Sequence, residues 1–435
     1  MGIVVAKFGG SSLADARQFE KVKNILLSDP NRRFVVPSAP GRRFAGDEKV
    51  TDLLYRAYRQ TEAGEDASET FEKIGGRYRE IAEGLNLPID MDELLGQTFQ
   101  DIQKIGTPDF TASRGEYLNG RLLAAYLGWD FIDAKDFIKF DRHGRFSGEW
   151  TNEILSEELS LHAHAVIPGF YGSVPNGEVH TFSRGGSDIT GAVVARAAQA
   201  SLYENWSDVS GFLMTDPKIV ENPREIREMT YAELRELSYM GATVFHEDSI
   251  FPVRRANIPT NIKNTNAPEH PGTMITDRPM GERGVITGIA GHKNFSLISI
   301  EKTMMNSEIG FGRRVLQALE DFNVSFEHLP SGIDTMSIVI SDSELNAHRN
   351  DIIKRIREVC QPDYIEIIDG IALIATVGLG MVRTPGTAAR LFTALDRAHV
   401  NVRMIDQGSS ELNIIVGVDQ KDFDAAMRAI YHAFV

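Results

Sequence analysis

At 435 residues and 42% hydrophobic content, the chain is long enough for about two to four domains with sizeable cores. Its 61 acidic residues outweigh 46 basic ones, giving a formal net charge of −15 with no long Lys/Arg block, which argues against nucleic-acid partners and anionic membrane surfaces. The single cysteine, Cys360, excludes an intrachain disulfide and a cysteine-based zinc site, and the sequence carries neither a signal-peptide pattern nor an apolar run of membrane-spanning length, so a cytoplasmic location is expected.

The chain opens with an apolar strand, Ile3 to Ala6, and an amphipathic helix marked by Leu13, Ala16, Phe19, Val22 and Ile25. Between them KFGGSS, Lys7 to Ser12, forms a strand-to-helix turn. Glycines there permit close backbone approach of a ligand, and a helix start offers unpaired N–H groups, so the turn is a candidate anion site. Short apolar strands then alternate with helical patterns at Phe34–Val36, Phe131–Asp133, Val166–Phe170 and Ile258–Lys263. This order predicts an α/β domain with a mostly parallel central sheet and ligands at the strands' C-terminal ends.

Within that domain RGGSD, Arg184 to Asp188, repeats the Gly-Gly helix entrance with an arginine and an aspartate in place of the lysine. A third segment, SDVSGFLMTDPK, sets Ser207, Asp208 and Gly211 beyond a strand and ends in an Asp216-Pro217 turn with Lys218, small and polar residues suited to a nucleotide pocket. No GxxxxGK[ST] loop, dinucleotide fingerprint, HExxH pair or GxSxG elbow is present. Phosphate chemistry on a non-Walker scaffold is what remains.

The segment 264–284 is rich in Pro, Gly and polar residues and reads as a boundary, part of it able to form a strand. Beyond it the sequence repeats: Gly310, Arg314, Ala318, Leu319, Val324, Gly332 and Ile338 recur at a constant offset as Gly386, Arg390, Ala394, Leu395, Val400, Gly408 and Ile414. Each copy reads as strand, glycine turn, helix, strand, strand, helix, the βαββαβ order of a ferredoxin-like module. VSFEH from Val324 and VNVRMID from Val400 are the expected second strands. The expected division is residues 1–284, 285–369 and 370–435, with 285–290 lending a strand to the second module.

Together these motifs resemble the aspartokinases of the amino-acid kinase superfamily. KFGGSS, RGGSD and SDVSGFLMTDPK match their glycine and nucleotide motifs, and VNVRMIDQGSSELNIIVGV matches their second ACT module. The length fits the monofunctional type. The resemblance implies transfer of the ATP γ-phosphoryl group to the β-carboxylate of L-aspartate, giving 4-phospho-L-aspartate for lysine, threonine and methionine synthesis, with Mg2+ carried mostly on phosphate oxygens.

Carried over residue by residue, Lys7 and Asp188 are the catalytic pair, the aspartate holding the lysine. Gly9, Gly10, Ser11, Gly185 and Gly186 cradle phosphates, and Ser207, Asp208, Gly211, Leu213, Asp216 and Lys218 line the nucleotide. Arg184 grips the substrate α-carboxylate, Glu116 in SRGEYLN accepts its ammonium, and Ser38, Thr51 and Ser187 complete the pocket. Three departures stand out: GRRFAGDEK lies between Ser38 and Thr51 where many relatives are shorter, Thr243 replaces a common lysine, and Leu213 a common tyrosine.

The resemblance also implies a homodimer through the ACT modules, or a tetramer built on it, and an amino-acid effector at the first module. Met305, Ser307, Phe311, Val324 and Asp334 are the candidate effector residues. Lysine is favoured over threonine because Asp334 and Glu308 could take a side-chain ammonium. A glutamate or acetylglutamate kinase and a non-catalytic amino-acid sensor are the alternatives that substrate comparison must separate.

Overall fold

The computed structural model describes residues 2–183, 185–242, 247–279, 281, 284–382 and 384–435. The chain divides into two compact units, one of Met1–Phe212, Glu225–Leu234 and Thr243–Met280, the other of Leu213–Arg224, Arg235–Ala242 and Gly281–Val435.

In the first unit, β1 (Val4–Phe8), β2 (Arg32–Pro37), β3 (Asp130–Phe131), β4 (Ala165–Val166), β5 (Leu202–Ser207), β6 (Glu228–Thr230), β7 (Thr260–Asn264) and β8 (Thr273–Thr276) form one sheet in the order β6-β8-β7-β5-β1-β2-β4-β3. Neighbours run parallel except β7 and β8. The Pro/Gly-rich stretch expected as a boundary thus supplies β8 to this sheet. Its TMIT core is β-branched or apolar and three of its four side chains are buried.

Alternation along β1 decides what faces what. Ala6 and Phe8 enter an apolar core with Phe19, Val22 and Ile25 of α1 (Ala16–Leu27), Leu53 and Leu54 of α2 (Val50–Glu62), and residues of α3 (Ser68–Gly84), α4 (Met91–Ile105) and α5 (Pro108–Leu127). Lys7, one residue out of phase, points to the other face and meets Asp188 of α6 (Gly186–Ala197). Helix α5, which carries Glu116, starts sharply because Thr107 accepts the Phe110 N–H and Pro108 occupies its first position. It ends at the left-handed Gly128.

The second unit is built on an antiparallel sheet of β9 (Gly288–Glu301), β10 (Thr335–Ser341), β11 (Tyr364–Val377), β12 (Val402–Asp406) and β13 (Asn413–Asp419), in the order β10-β9-β11-β13-β12. Helices α7 (Phe311–Glu320) and α8 (Arg349–Cys360) cover one apolar cluster on it, and α9 (Thr387–Arg397) and α10 (Phe423–Phe434) cover another. The two central strands serve both clusters. Gly288–His292 pairs with Leu373–Val377, and after a register shift Phe295–Glu301 pairs with β10 on one side and Tyr364–Ile371 on the other.

VSFEH differs from its expected strand. It forms only the isolated bridge of His328 to Val339, with a second just beyond it, Ser331 to Met336. Two local reasons are visible: the Glu344 carboxylate takes both the N–H and the hydroxyl of Ser325, and Pro330 has no N–H to offer a ladder. No helix among the described residues is long and apolar enough to cross a membrane.

Candidate active site

The two glycine entrances meet at the C-terminal ends of β1 and β5. Lys7 is 6% exposed, and its ammonium lies 2.5 Å from Asp188 Oδ1. Asn205, level with Lys7 on β5, donates its side-chain N–H to the same oxygen at 2.7 Å and so fixes the carboxylate from a second side. A buried ion pair with such a third partner is held in one geometry.

The first loop is closed by backbone bonds: Gly9 N–H donates to Trp206 O at 2.9 Å, and Gly41 N–H donates to Gly10 O at 2.8 Å. A Cβ on Gly10 would lie 2.8 Å from Ala39 O, so the second glycine is demanded by this close approach. Ser11 is half-buried in the short 3-10 turn Gly10–Leu13. At the second entrance Gly185 is left-handed, with φ +59°, and a Cβ on Gly186 would meet the Phe170 ring at 2.5 Å. Both loops therefore bring bare backbone to the neighbourhood of Lys7.

Glu116 is 5% exposed on α5, and burial pushes its carboxyl up to about 8 from an ordinary 4.5, against the Ala39 and Glu116 backbone N–H groups, the Lys7 charge and the Ser187 hydroxyl. Its Oε2 has no hydrogen-bond partner among the described residues. A buried, underpartnered acceptor beside a lysine suits a cationic group arriving with its own donors. Ser38, at the end of β2, and Thr51, in the first turn of α2, are half-buried. Ser187 abuts Gly169, where a Cβ would lie 2.7 Å from its hydroxyl.

The long stretch between Ser38 and Thr51 is fastened by a residue the sequence does not single out. Arg77 of α3, 5% exposed, donates to Gly41 O at 2.8 Å and to Ala14 O at 3.2 Å, and pairs with Asp47 at 3.1 Å. Asp47 is also held by Arg43, whose hydrogen bond keeps its carboxyl far below the usual range despite burial.

Ser207 ends β5, and Asp208 and Gly211 follow it in the first unit. Ser207 O accepts the Thr265 N–H at 2.8 Å, Asp208 is exposed, and Gly211 is left-handed against Thr273. Leu213, Asp216 and Lys218 fall in the second unit, all exposed, with Asp216 accepting the Lys218 N–H at 2.8 Å in a tight turn. Arg184 and Thr243 lie outside the described residues.

The effector candidates sit in the second unit. Met305, Phe311 and Val324 are buried in the α7–α8 cluster. Ser307 donates to Met304 O at 2.9 Å, and Asp334 Oδ1 accepts the Met304 N–H at 2.8 Å. Glu308 is engaged by Lys302 at 2.8 Å and by Arg314.

Comparison with known proteins resolves which phosphate chemistry this is. Residues 2–264 match the model of the amino acid kinase family, and 374–434 match an ACT domain. Aspartokinase 3 of Bacillus subtilis is 41% identical over 99% of this chain and 98% of its own. The chain belongs to the aspartokinases. The crystal structure of the Clostridium acetobutylicum aspartate kinase, an allosteric enzyme, superposes with a TM-score of 0.92 at 52% identity, covering 100% of both chains. Aspartokinase III of Escherichia coli, 26% identical, superposes at 0.79 over 99% of both chains in its complex with aspartate and ADP, and at 0.77 over 100% of both with lysine and aspartate. Aspartokinase architecture thus accounts for both units: a mostly parallel α/β kinase domain and a C-terminal ACT portion.

Proposed function

We propose that this aspartokinase transfers the ATP γ-phosphoryl group to the β-carboxylate of L-aspartate with Lys7 and Asp188 as its central pair. The observation that carries the reading is the buried Lys7–Asp188 contact beside two bare-backbone glycine loops, with the unpartnered Glu116 oxygen close by.

The nucleophile is already a carboxylate, so no base is required; the fold must supply placement and charge neutralisation. Lys7, steered by Asp188 and Asn205, neutralises charge on the transferring group. Backbone N–H groups of Gly9, Gly10, Ser11, Gly185 and Gly186 cradle the phosphates. Arg184 takes the substrate α-carboxylate by its bidentate fork, Glu116 the ammonium, and Ser38, Thr51 and Ser187 the remaining polar contacts. Ser207, Asp208, Gly211, Leu213, Asp216 and Lys218 serve the nucleotide. Mg2+ is expected to arrive on ATP, its ligands mostly phosphate oxygens and water. When bound it neutralises phosphate oxygens.

The effector reading places lysine at the turn after β9 in the first module, and 285–369 and 370–435 are the two modules, with 285–290 serving the second. Because Glu308 is engaged by Lys302 and Arg314, Asp334 is the acceptor for the effector ammonium. Met304, Ile309 and Ile333 around that turn are 67%, 97% and 70% exposed, which supports a homodimer built on this module, with a tetramer as its larger form. The cytoplasm is the expected compartment.

An ATP- and Mg2+-dependent hydroxamate assay with aspartate, glutamate and N-acetylglutamate tests the reaction. Product from aspartate alone is expected. Product from glutamate or N-acetylglutamate but not aspartate overturns it, and none from any acceptor favours a sensor.

A further inference from the structure

Glu116 is not the only buried acceptor on its face of α5. Asn119 lies three residues on, so the two side chains share one side of the helix. Asn119 is fully buried, and its Oδ1, like Glu116 Oε2, has no hydrogen-bond partner among the described residues. Asn119 holds the peptide group at the end of β2: its Nδ2 donates to Ser38 O at 2.6 Å, and the next N–H, that of Ala39, favours the charged form of the Glu116 carboxyl.

This arrangement settles the amide's orientation, because a flipped Asn119 would set oxygen against the Ser38 carbonyl. Oδ1 is therefore the free acceptor. Two buried acceptors left over beside one clamped peptide, at the end of β2 where Ser38 enters the pocket, match a ligand group with several donors and a positive charge. A primary ammonium has three N–H donors and no acceptor.

We propose that Asn119 is a specificity-determining residue of the substrate site, supplying with Glu116 a second acceptor for the substrate's α-ammonium and so selecting a free amino group. This rests on the reading of Glu116 as the ammonium's partner. A carboxylate alone attracts any cation; a neutral amide oxygen beside it adds direction and lets the ammonium's remaining protons find partners.

The test compares L-aspartate with succinate, the same dicarboxylate without the amino group. In the full-length wild type, Asn119→Ala and Asn119→Asp, the KM for aspartate, the KM for ATP and the Ki of succinate against aspartate are measured. Asn119→Ala is expected to raise the aspartate KM about tenfold, as loss of a charge-assisted hydrogen bond would, with succinate and ATP within about twofold. Asn119→Asp keeps the shape and the acceptor but gives up the N–H to Ser38 O; it serves if the alanine variant does not fold, and should shift selectivity the other way, holding aspartate and weakening succinate. Aspartate and succinate weakening together in either variant would make Asn119 a support for the Ser38–Ala39 peptide only, and overturn the proposal. An unchanged aspartate KM would do the same. A wild type that fails to phosphorylate aspartate sinks the aspartokinase reading instead, which keeps the two failures distinct.

Discussion

The proposed catalytic and effector regions handle charge in opposite ways. In the kinase unit the polar groups are buried and fixed before substrate arrives: Lys7, 6% exposed, is paired with Asp188, which Asn205 braces, and Glu116, 5% exposed, is carried on α5. At the turn after β9 the fold leaves Met304, Ile309 and Ile333 on the surface, and the Asp334 carboxylate does no more than hold the Met304 N–H. Phosphoryl transfer gains from charges that need no rearrangement as the reaction proceeds. A regulatory turn must fit two states of the protein, and few local contacts make that shift inexpensive.

If the contrast is right, the largest loss comes from breaking the buried pair. Lys7→Ala should lower kcat by about 10²-fold or more while circular dichroism shows an intact fold. A folded variant within a few-fold of wild type would remove Lys7 from its role. Next, Glu116→Gln should raise the KM for aspartate by about tenfold and leave that for ATP unchanged; selective weakening of ATP would reverse the proposed substrate orientation.

The raised Glu116 carboxyl gives the third expectation its sign. With a value of about 8 against an ordinary 4.5, the empty fold keeps this acid neutral at pH 7, whereas an ammonium partner needs it ionised. Below pH 8 binding must therefore release a proton, and the aspartate KM should fall as pH rises toward 8, at most about tenfold per unit. Glu116→Gln should flatten that slope. For folding the sign is opposite to the usual carboxylate: the neutral buried acid favours the native state fully below about 4.5, and this contribution is lost as pH rises through 8. The smallest change in basal turnover, within about twofold, is expected for Asp334→Ala at the exposed turn, together with relief of lysine inhibition. Unchanged inhibition would exclude Asp334, and inhibition by threonine but not lysine in the wild type would overturn the effector.

The candidate catalytic residues were legible because they are local punctuation: glycine pairs at strand-to-helix turns, with a charged residue beside each. Asn205 was hidden, although it stands two residues before the quoted nucleotide segment, because its role depends on parallel register with Lys7, which no local pattern encodes. Arg77 and Asn119 were hidden for a related reason. Both act on backbone carbonyls far along the chain, Gly41 and Ser38, and a carbonyl has no sequence signature. VSFEH misled because β-branched and aromatic content describes a pleated surface, while a competing Glu344 carboxylate and a proline decided the hydrogen bonds.

The two long central strands of the second unit carry a consequence for how this region can be cut or inherited. Gly288–His292 completes its ladder with Leu373–Val377, on the far side of the module boundary expected at residue 369. A fragment stopped at that boundary would keep the start of β9 with a bare row of N–H and C=O groups on an edge, the template on which chains aggregate. A fragment starting there would lack the same strand. The repeats are thus bound like two pages folded from one sheet: mixed as separate pieces, they should recover their structure by complementation only when one piece carries residues 288–292 to the other.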